Sequence, residues 1–411
     1  MDTLKVRDAA DVEQVVRAAL ASEQPLEIIG HGSKRMVGQP MATNALLDLS
    51  DLNAVANYEP NELIITVQAG VPLADVLSLI DSKNQQFAFE PMNTAPLLGT
   101  PDVGTIGGMI SAGLAGPRRI KAGGARDHLL GAQAVSGFGD SFKAGGKVVK
   151  NVTGYDLCKL LAGSWGTLAV MTEVTLKVMP RPESECTLVL RGLDDATANR
   201  AMTAALGSPF DVSGAAHVPG SALRTSAGFG GLESTQAVTL LRLEGIAASV
   251  AHRAATLGKM LAPFGIAEII EDAASAAIWV SVRDVKPFAV DGTLGAWPVW
   301  RIVCPPASGG GLGERLARDT GGDVIYDWGG GLVWAALPPG PRDAYAALVR
   351  ERVDAVGGHA TLLRASEDVR RNVDVFHPQP SGLAALGERV RYSFDPKNIL
   401  NRGRMIRGSI A

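Results

Sequence analysis

The chain is poor in cysteine: Cys158, Cys186 and Cys304 are the only three in 411 residues. They lie far apart, so they form neither a CxxC pair nor a disulfide framework, and a reducing, cytoplasmic setting fits. Three scattered thiols also cannot hold an iron–sulfur cluster. Histidine is scarce, with six residues, and no metal is expected because none stands at zinc-ligand spacing. An excess of one charge is missing as well. The 39 basic residues face 42 acidic ones, a net charge of -3, which excludes a general nucleic-acid binder. No run of about 18 apolar residues occurs, so no direct membrane span is expected. The N-terminus, MDTLKVRDAADVEQVV, carries charges every few residues and has no apolar core, unlike a secretory signal. A G-x-S-x-G nucleophile elbow is absent too.

What is present is a globular mixture, 46% hydrophobic and 20% charged, long enough for two or three domains. Glycine is over-represented, at 48 residues. Many fall between 99 and 166, as in GTPDVGTIGGMISAGLAG and RIKAGGARDHLLG. Apolar residues and single charges interrupt the cluster, so it is not a linker. It reads either as a turn-rich packing region or as chain wrapped closely around a ligand.

Residues 8–21 have helical spacing after an Asp, and 26–30 read as a short buried strand. Segments 45–50 and 62–70 are β-like, and 72–83 reads as a helix opened by proline. Residues 128–137 lead into a hairpin with GFGD at its tip. The long β-branched run 167–180 ends at Pro180, and a domain boundary is expected at about 182. Beyond it, strand and helix patterns repeat, which suggests a helix-on-sheet unit.

Two loops carry candidate chemistry. In LEIIGHGSKRMVG, consecutive N–H groups after a strand can cradle an anion, with Ser33, Lys34 and Arg35 beside them. The same residues also suit a plain tight turn. This is neither a Rossmann fingerprint, which needs a third glycine, nor a Walker A loop. In GTIGGMISAGLAG, a turn enters a helix, and N–H groups at its start are expected to be free for a pyrophosphate. A glycine-packed helix is the competing reading. Arg301, next to Trp300, and Arg364 are candidates to bind a substrate carboxylate, or else belong to structural ion pairs. Asp327 and Trp328 also stand out chemically, with a structural ion pair or a packed tryptophan as the plain reading. No catalytic residue is assigned.

Residues 20–182 resemble the FAD-binding domain of the vanillyl-alcohol oxidase / p-cresol methylhydroxylase (PCMH) flavoprotein superfamily. The matching pieces are IIGHGSKRMVG, GTIGGMISAG with ARDHLLG, and KNVTGYDLCKLLAGSWGTLAVMTEVTLKVMP. VWRIVCP, YDWGGGLVWA, GGHATLLRAS and FDPKNILNRGRM are similar to the E-subunit group of bacterial glycolate oxidases (glycolate dehydrogenases). The resemblance implies an α+β fold: a two-subdomain PCMH-type FAD domain over 1–182, a smaller sheet-and-helix cap over 183–380, and a segment 381–411 that returns to the FAD domain.

It also implies roles. Gly30, His31, Gly32, Ser33, Lys34, Arg35 and Met36 would wrap the FAD pyrophosphate. Thr105, Ile106, Gly107 and Gly108 would form the second contact, and Ser111, Gly113 and Gly116 would line the same cleft. The backbone at Val170 would meet the nucleotide end. Some relatives attach FAD through His in a G-G-H-S loop. Here His31 stands one place early, so non-covalent FAD is expected. Cys158, in a helical pattern, is expected in the core, and Lys150, Asn151 and Tyr155 are expected to brace the FAD domain. A proline usually follows the tail Asn in the family, whereas Arg402 stands after Asn401 here.

The implied reaction is oxidation of a small 2-hydroxy acid, glycolate, to glyoxylate, with electrons passing to an iron–sulfur partner subunit. A D-type flavoprotein subunit is the other implied partner, and partner subunits would supply any membrane association. His359 and His377 do not reproduce that subunit's paired-His motifs. An FAD-carrying relay or structural subunit, or an assembly protein without FAD, therefore remain alternative readings.

Overall fold

The computed structural model describes residues 2–146, 155–225, 229–232 and 235–407. Lys150 and Asn151 lie outside them, and Tyr155 is almost fully exposed.

The chain opens with the helix Ala9–Ser22. Asp8 caps it by accepting from the Asp11 N–H, and Val12, Val16 and Ala19 form its buried stripe. The stripe covers a parallel three-stranded sheet in the order Asp2–Lys5, Ala45–Asp48, Leu26–Ile29. The outer strand Asp2–Lys5 was not visible in the sequence pattern, because all four of its residues are exposed.

A five-stranded antiparallel sheet follows, in the order Val55–Glu59, Ile64–Gln68, Ala169–Lys177, Leu129–Ser136, Ser141–Gly145. Ala169–Lys177 lies at its centre and is buried along most of its length, which matches its β-branched run. Cys158 lies buried in the helix Leu157–Leu161, within this sheet's core. Its environment pushes the thiol up to about 11, chiefly through burial.

From Ser184 the chain builds an eight-stranded sheet in which all the strand pairs are antiparallel. One face carries a core with Trp300 and Tyr326, covered by the helices Asp195–Leu206, Ala247–Met260 and Pro306–Thr320. The other face carries Trp279, Trp328 and Trp334 and packs against Val37, Leu97, Leu98 and Trp165. The shared apolar layer ties the first half of the chain to this sheet.

A buried ion network crosses the same junction. Arg242 donates to both carboxylate oxygens of Glu90 at 2.8 Å, and Arg118 donates to Glu244 at 2.6 Å. Finally, the helix Ser381–Phe394 leads the tail back to the first sheet. Leu26 donates to the Ile399 carbonyl, and Asn401 donates to the Leu26 carbonyl.

Candidate functional site

A cleft holding about 680 Å³ of empty space opens where the three-stranded sheet, the five-stranded sheet and the returning tail meet. Its first wall is the loop after strand Leu26–Ile29. Gly32 takes a left-handed backbone (φ 70°), which turns the chain sharply. Among the described residues, the backbone N–H groups of Gly30, His31, Gly32, Ser33 and Lys34 have no protein acceptor. Five consecutive unspent donors around such a turn make an anion cradle.

The second wall is the Thr105–Ser111 segment. Thr105 caps the helix Ile106–Ala112, its hydroxyl accepting from the Gly108 N–H at 3.3 Å. The expected free donors at this helix start are not free. The Ile106 N–H goes to the Val71 carbonyl, the Gly107 N–H to the Ala69 carbonyl, and the Gly108 N–H to its own cap. The physical reason is packing: the segment pairs with the 69–72 strand end, and Gly107 allows that approach, since a β-carbon there would lie 2.7 Å from Ala69 Cβ. The two walls interlock in turn. A β-carbon on Gly30 would strike Thr105, and one on Gly104 would strike Ser33.

The charges in the cleft are unequal. Arg35 is bound bidentately to the buried Glu27, with both contacts at 2.7 Å. His31 Nδ1 lies 3.1 Å from Asp102. Among the described residues Lys34 has only the Ser33 hydroxyl (3.2 Å) and the Val103 carbonyl (3.3 Å) as hydrogen-bond partners, and burial pushes its pKa down to about 8. Arg404 reaches in from the tail and donates to the Lys34 carbonyl at 2.6 Å. Its Nε is buried with no hydrogen-bond partner, and burial pushes its pKa down to about 10. Two buried cations without a carboxylate of their own, beside unspent N–H donors, fit a bound diphosphate.

The cleft brings together Gly30, His31, Gly32, Ser33, Lys34, Arg35, Thr105, Gly107, Gly108 and Ser111. Met36, Ile106, Gly113, Gly116 and Val170 lie off its lining. Met36 faces solvent, while Ile106 and Val170 are core residues. Gly113 ends the helix at φ 64° against Gly163, and Gly116 receives the Trp328 indole N–H.

Arg301 and Arg364 are also outside this cleft. Arg364 gives its guanidinium to the carbonyls of Leu97, Phe288, Leu294 and Trp297, which leaves it a brace rather than a carboxylate ligand. Sequence reasoning missed Arg404, Trp165 and Gly166, which line the site from distant segments. The only signal for Arg404 was the RGRM end of the tail.

This architecture has the fold of PCMH-type flavoproteins. The p-cresol methylhydroxylase structure superposes with a TM-score of 0.70 over 98% of this chain and 88% of that one, at 14% identity. Residues 3–145 match the family model described as an FAD binding domain. The glycolate oxidase subunit GlcE of Escherichia coli is 30% identical over 95% of both chains. The GlcD subunit of Bacillus subtilis is 30% identical over 44% of this chain and 38% of its own length. The chain belongs to the family of FAD-linked oxidoreductases that contains GlcE.

Proposed function

We propose that the chain is the FAD-carrying subunit of a complex that oxidises glycolate, or a closely similar 2-hydroxy acid, to the 2-oxo acid. The observation that carries this reading is the cleft's pairing of unspent loop N–H donors with Lys34 and Arg404. Its full-length likeness to GlcE supports the substrate class. The unit from Ser184 onward acts as the cap, and the tail past Ser381 completes the FAD domain.

In this reading Gly30–Lys34 hold the diphosphate, and Lys34 and Arg404 neutralise it. Gly30 and Gly104 let the two walls approach each other closely. Bound FAD supplies a two-electron acceptor for the carbon bearing the hydroxyl. Attachment is non-covalent in this reading, because His31 stands one place early in the loop relative to the attaching histidine of G-G-H-S relatives.

The three cysteines are buried singly, so electrons leave through a partner subunit that holds the iron–sulfur centre. A D-type flavoprotein subunit completes the complex, and no described helix is long and apolar enough to cross a membrane. The second reading, an electron relay serving a catalytic D-type subunit, is favoured by one observation. His31 is the cleft's sole histidine, and His377 is engaged instead with Arg350 and Asp354.

The test is an absorption spectrum of the purified chain, repeated on the supernatant after acid precipitation, followed by anaerobic glycolate. Released flavin that glycolate bleaches in the intact protein supports the enzyme. Released flavin that stays oxidised supports the relay. Flavin held in the pellet overturns non-covalent attachment, and a protein that takes up no FAD overturns both readings.

A further inference from the structure

Trp328 is almost fully buried, and its indole N–H donates to the Gly116 carbonyl at 3.0 Å. Two guanidinium groups lie over that one ring. Arg119, from the short helix Arg119–Ala122, sits 4.4 Å from the ring centroid. Arg301, in the strand Val299–Val303, sits 5.2 Å from it and 5.9 Å from the Trp334 ring. Among the described residues, neither guanidinium donates a hydrogen bond or pairs with a carboxylate. Two other buried arginines are matched: Arg242 holds Glu90, and Arg364 holds four carbonyls.

We infer that Arg119 and Arg301 form a clamp across Trp328 for the carboxylate of a small monoanionic hydroxy or oxo acid. The inference rests on the 2-hydroxy-acid reading above and gives that substrate a place.

The surroundings favour a single negative charge. Arg301 is pushed down to about 10, first by burial and then by the repulsion of Arg119, with Asp327 opposing. His359 lies in the same positive field. Its pKa is lowered by burial and then by Arg301, with His377, Arg119 and Arg350 adding to the effect. Asp327, two strands from Arg301 on the same sheet, is the one acid that acts on Arg301. Burial pushes the Asp327 carboxyl up to about 7, so it offsets the two guanidiniums only in part, and a monocarboxylate supplies the missing negative charge. Guanidinium pairs are suited to gripping both oxygens of such a group. Arg119 comes from the glycine-rich half of the chain and Arg301 from the eight-stranded sheet, so the clamp forms only when the two are docked.

The probe is methoxyacetate, a monocarboxylate whose blocked hydroxyl prevents oxidation. It is titrated into the flavin-containing protein and followed by tryptophan fluorescence and calorimetry. Saturable binding is expected, and Arg301→Gln and Arg119→Gln are each expected to weaken it roughly 10- to 100-fold. Flavin absorbance should stay unchanged, as should binding in Arg200→Gln, which removes an exposed charge elsewhere. Arg119 is exposed, so Arg119→Gln tests the clamp even where Arg301→Gln misfolds. No binding by the unaltered protein overturns the inference, and so does undiminished binding in Arg119→Gln or tighter binding of inorganic phosphate. Retained flavin in any of those cases leaves the FAD reading standing.

Discussion

Arg404 donates a hydrogen bond to the backbone carbonyl of Lys34 at 2.6 Å, across 370 positions of sequence. The contact turns the Lys34 carbonyl toward the tail while Lys34 itself faces the cleft. Tail and glycine loop therefore form one binding surface, and the consequences can be measured.

Arg404→Gln removes one of the two unpaired cations and leaves the rest of the tail in place. FAD affinity is expected to fall about 10- to 100-fold, the scale of one charge-assisted hydrogen bond to phosphate. Flavin fluorescence titration of the apoprotein reads the change, and an affinity within twofold of the unaltered chain would remove Arg404 from the site.

Lys34 gives the site a pH dependence. Burial lowers its pKa to about 8 in the folded protein, against 10.5 for a free lysine. Between those values the unfolded chain binds the extra proton, so the apoprotein gains stability as pH rises from 8 to 10.5. Anion affinity follows the opposite sign, fading as Lys34 loses its charge above pH 8. Lys34→Met is expected to abolish both slopes in thermal melts and in FAD titrations.

Gly30→Ala drives a methyl group into Thr105 at the crossing of the two walls. Overpacking of this kind costs about 1–3 kcal/mol. The purified variant is expected to melt lower and to carry less flavin per chain. Gly146→Ala, where a β-carbon meets nothing within 4 Å, is the matched control.

Glu90 holds the two halves of the chain together. Burial alone would raise its pKa, but Arg242 and Arg118 outweigh that and bring it down to about 2. Its stabilising contribution is therefore complete above 4.5 and is lost as pH falls from 4.5 toward 2. Glu90→Gln takes the carboxylate from Arg242's two 2.8 Å contacts and leaves it only Glu244 at 3.5 Å, at a cost of up to about 3–5 kcal/mol. The variant is expected to melt markedly lower at neutral pH and to lose much of this acid sensitivity in denaturant titrations.

Asn401 is a wedge: its side-chain oxygen accepts from the Ile28 N–H at 2.8 Å, and its amide donates to the Trp165 carbonyl at 2.7 Å. Asn401→Ala leaves both groups without this partner, at about 1–3 kcal/mol for a buried unsatisfied group. Lower thermal stability together with weaker FAD retention is expected. Arg402 in place of the family's usual proline does not prevent this bridge.

Local pattern by itself determined a good deal of this protein. The helix Ala9–Ser22, the hairpin around GFGD and the strand Ala169–Lys177 follow from periodicity and turn chemistry, which need only near neighbours. The GHGSKR loop also belonged to that level, because five donors in a row around a glycine turn are a local property. What only the tertiary structure decided is how donors and charges are spent. The Ile106–Gly108 N–H groups look free in sequence but are consumed by Val71, Ala69 and Thr105. Arg35 and Lys34 look alike in sequence, yet Glu27 holds the first bidentately, while among the described residues no carboxylate pairs directly with the second. Arg404 and Trp165 reach the cleft, and Arg119 reaches Trp328, only through long-range docking. A charge acts on a ligand only when no protein group has already claimed it, and that depends on partners hundreds of positions away.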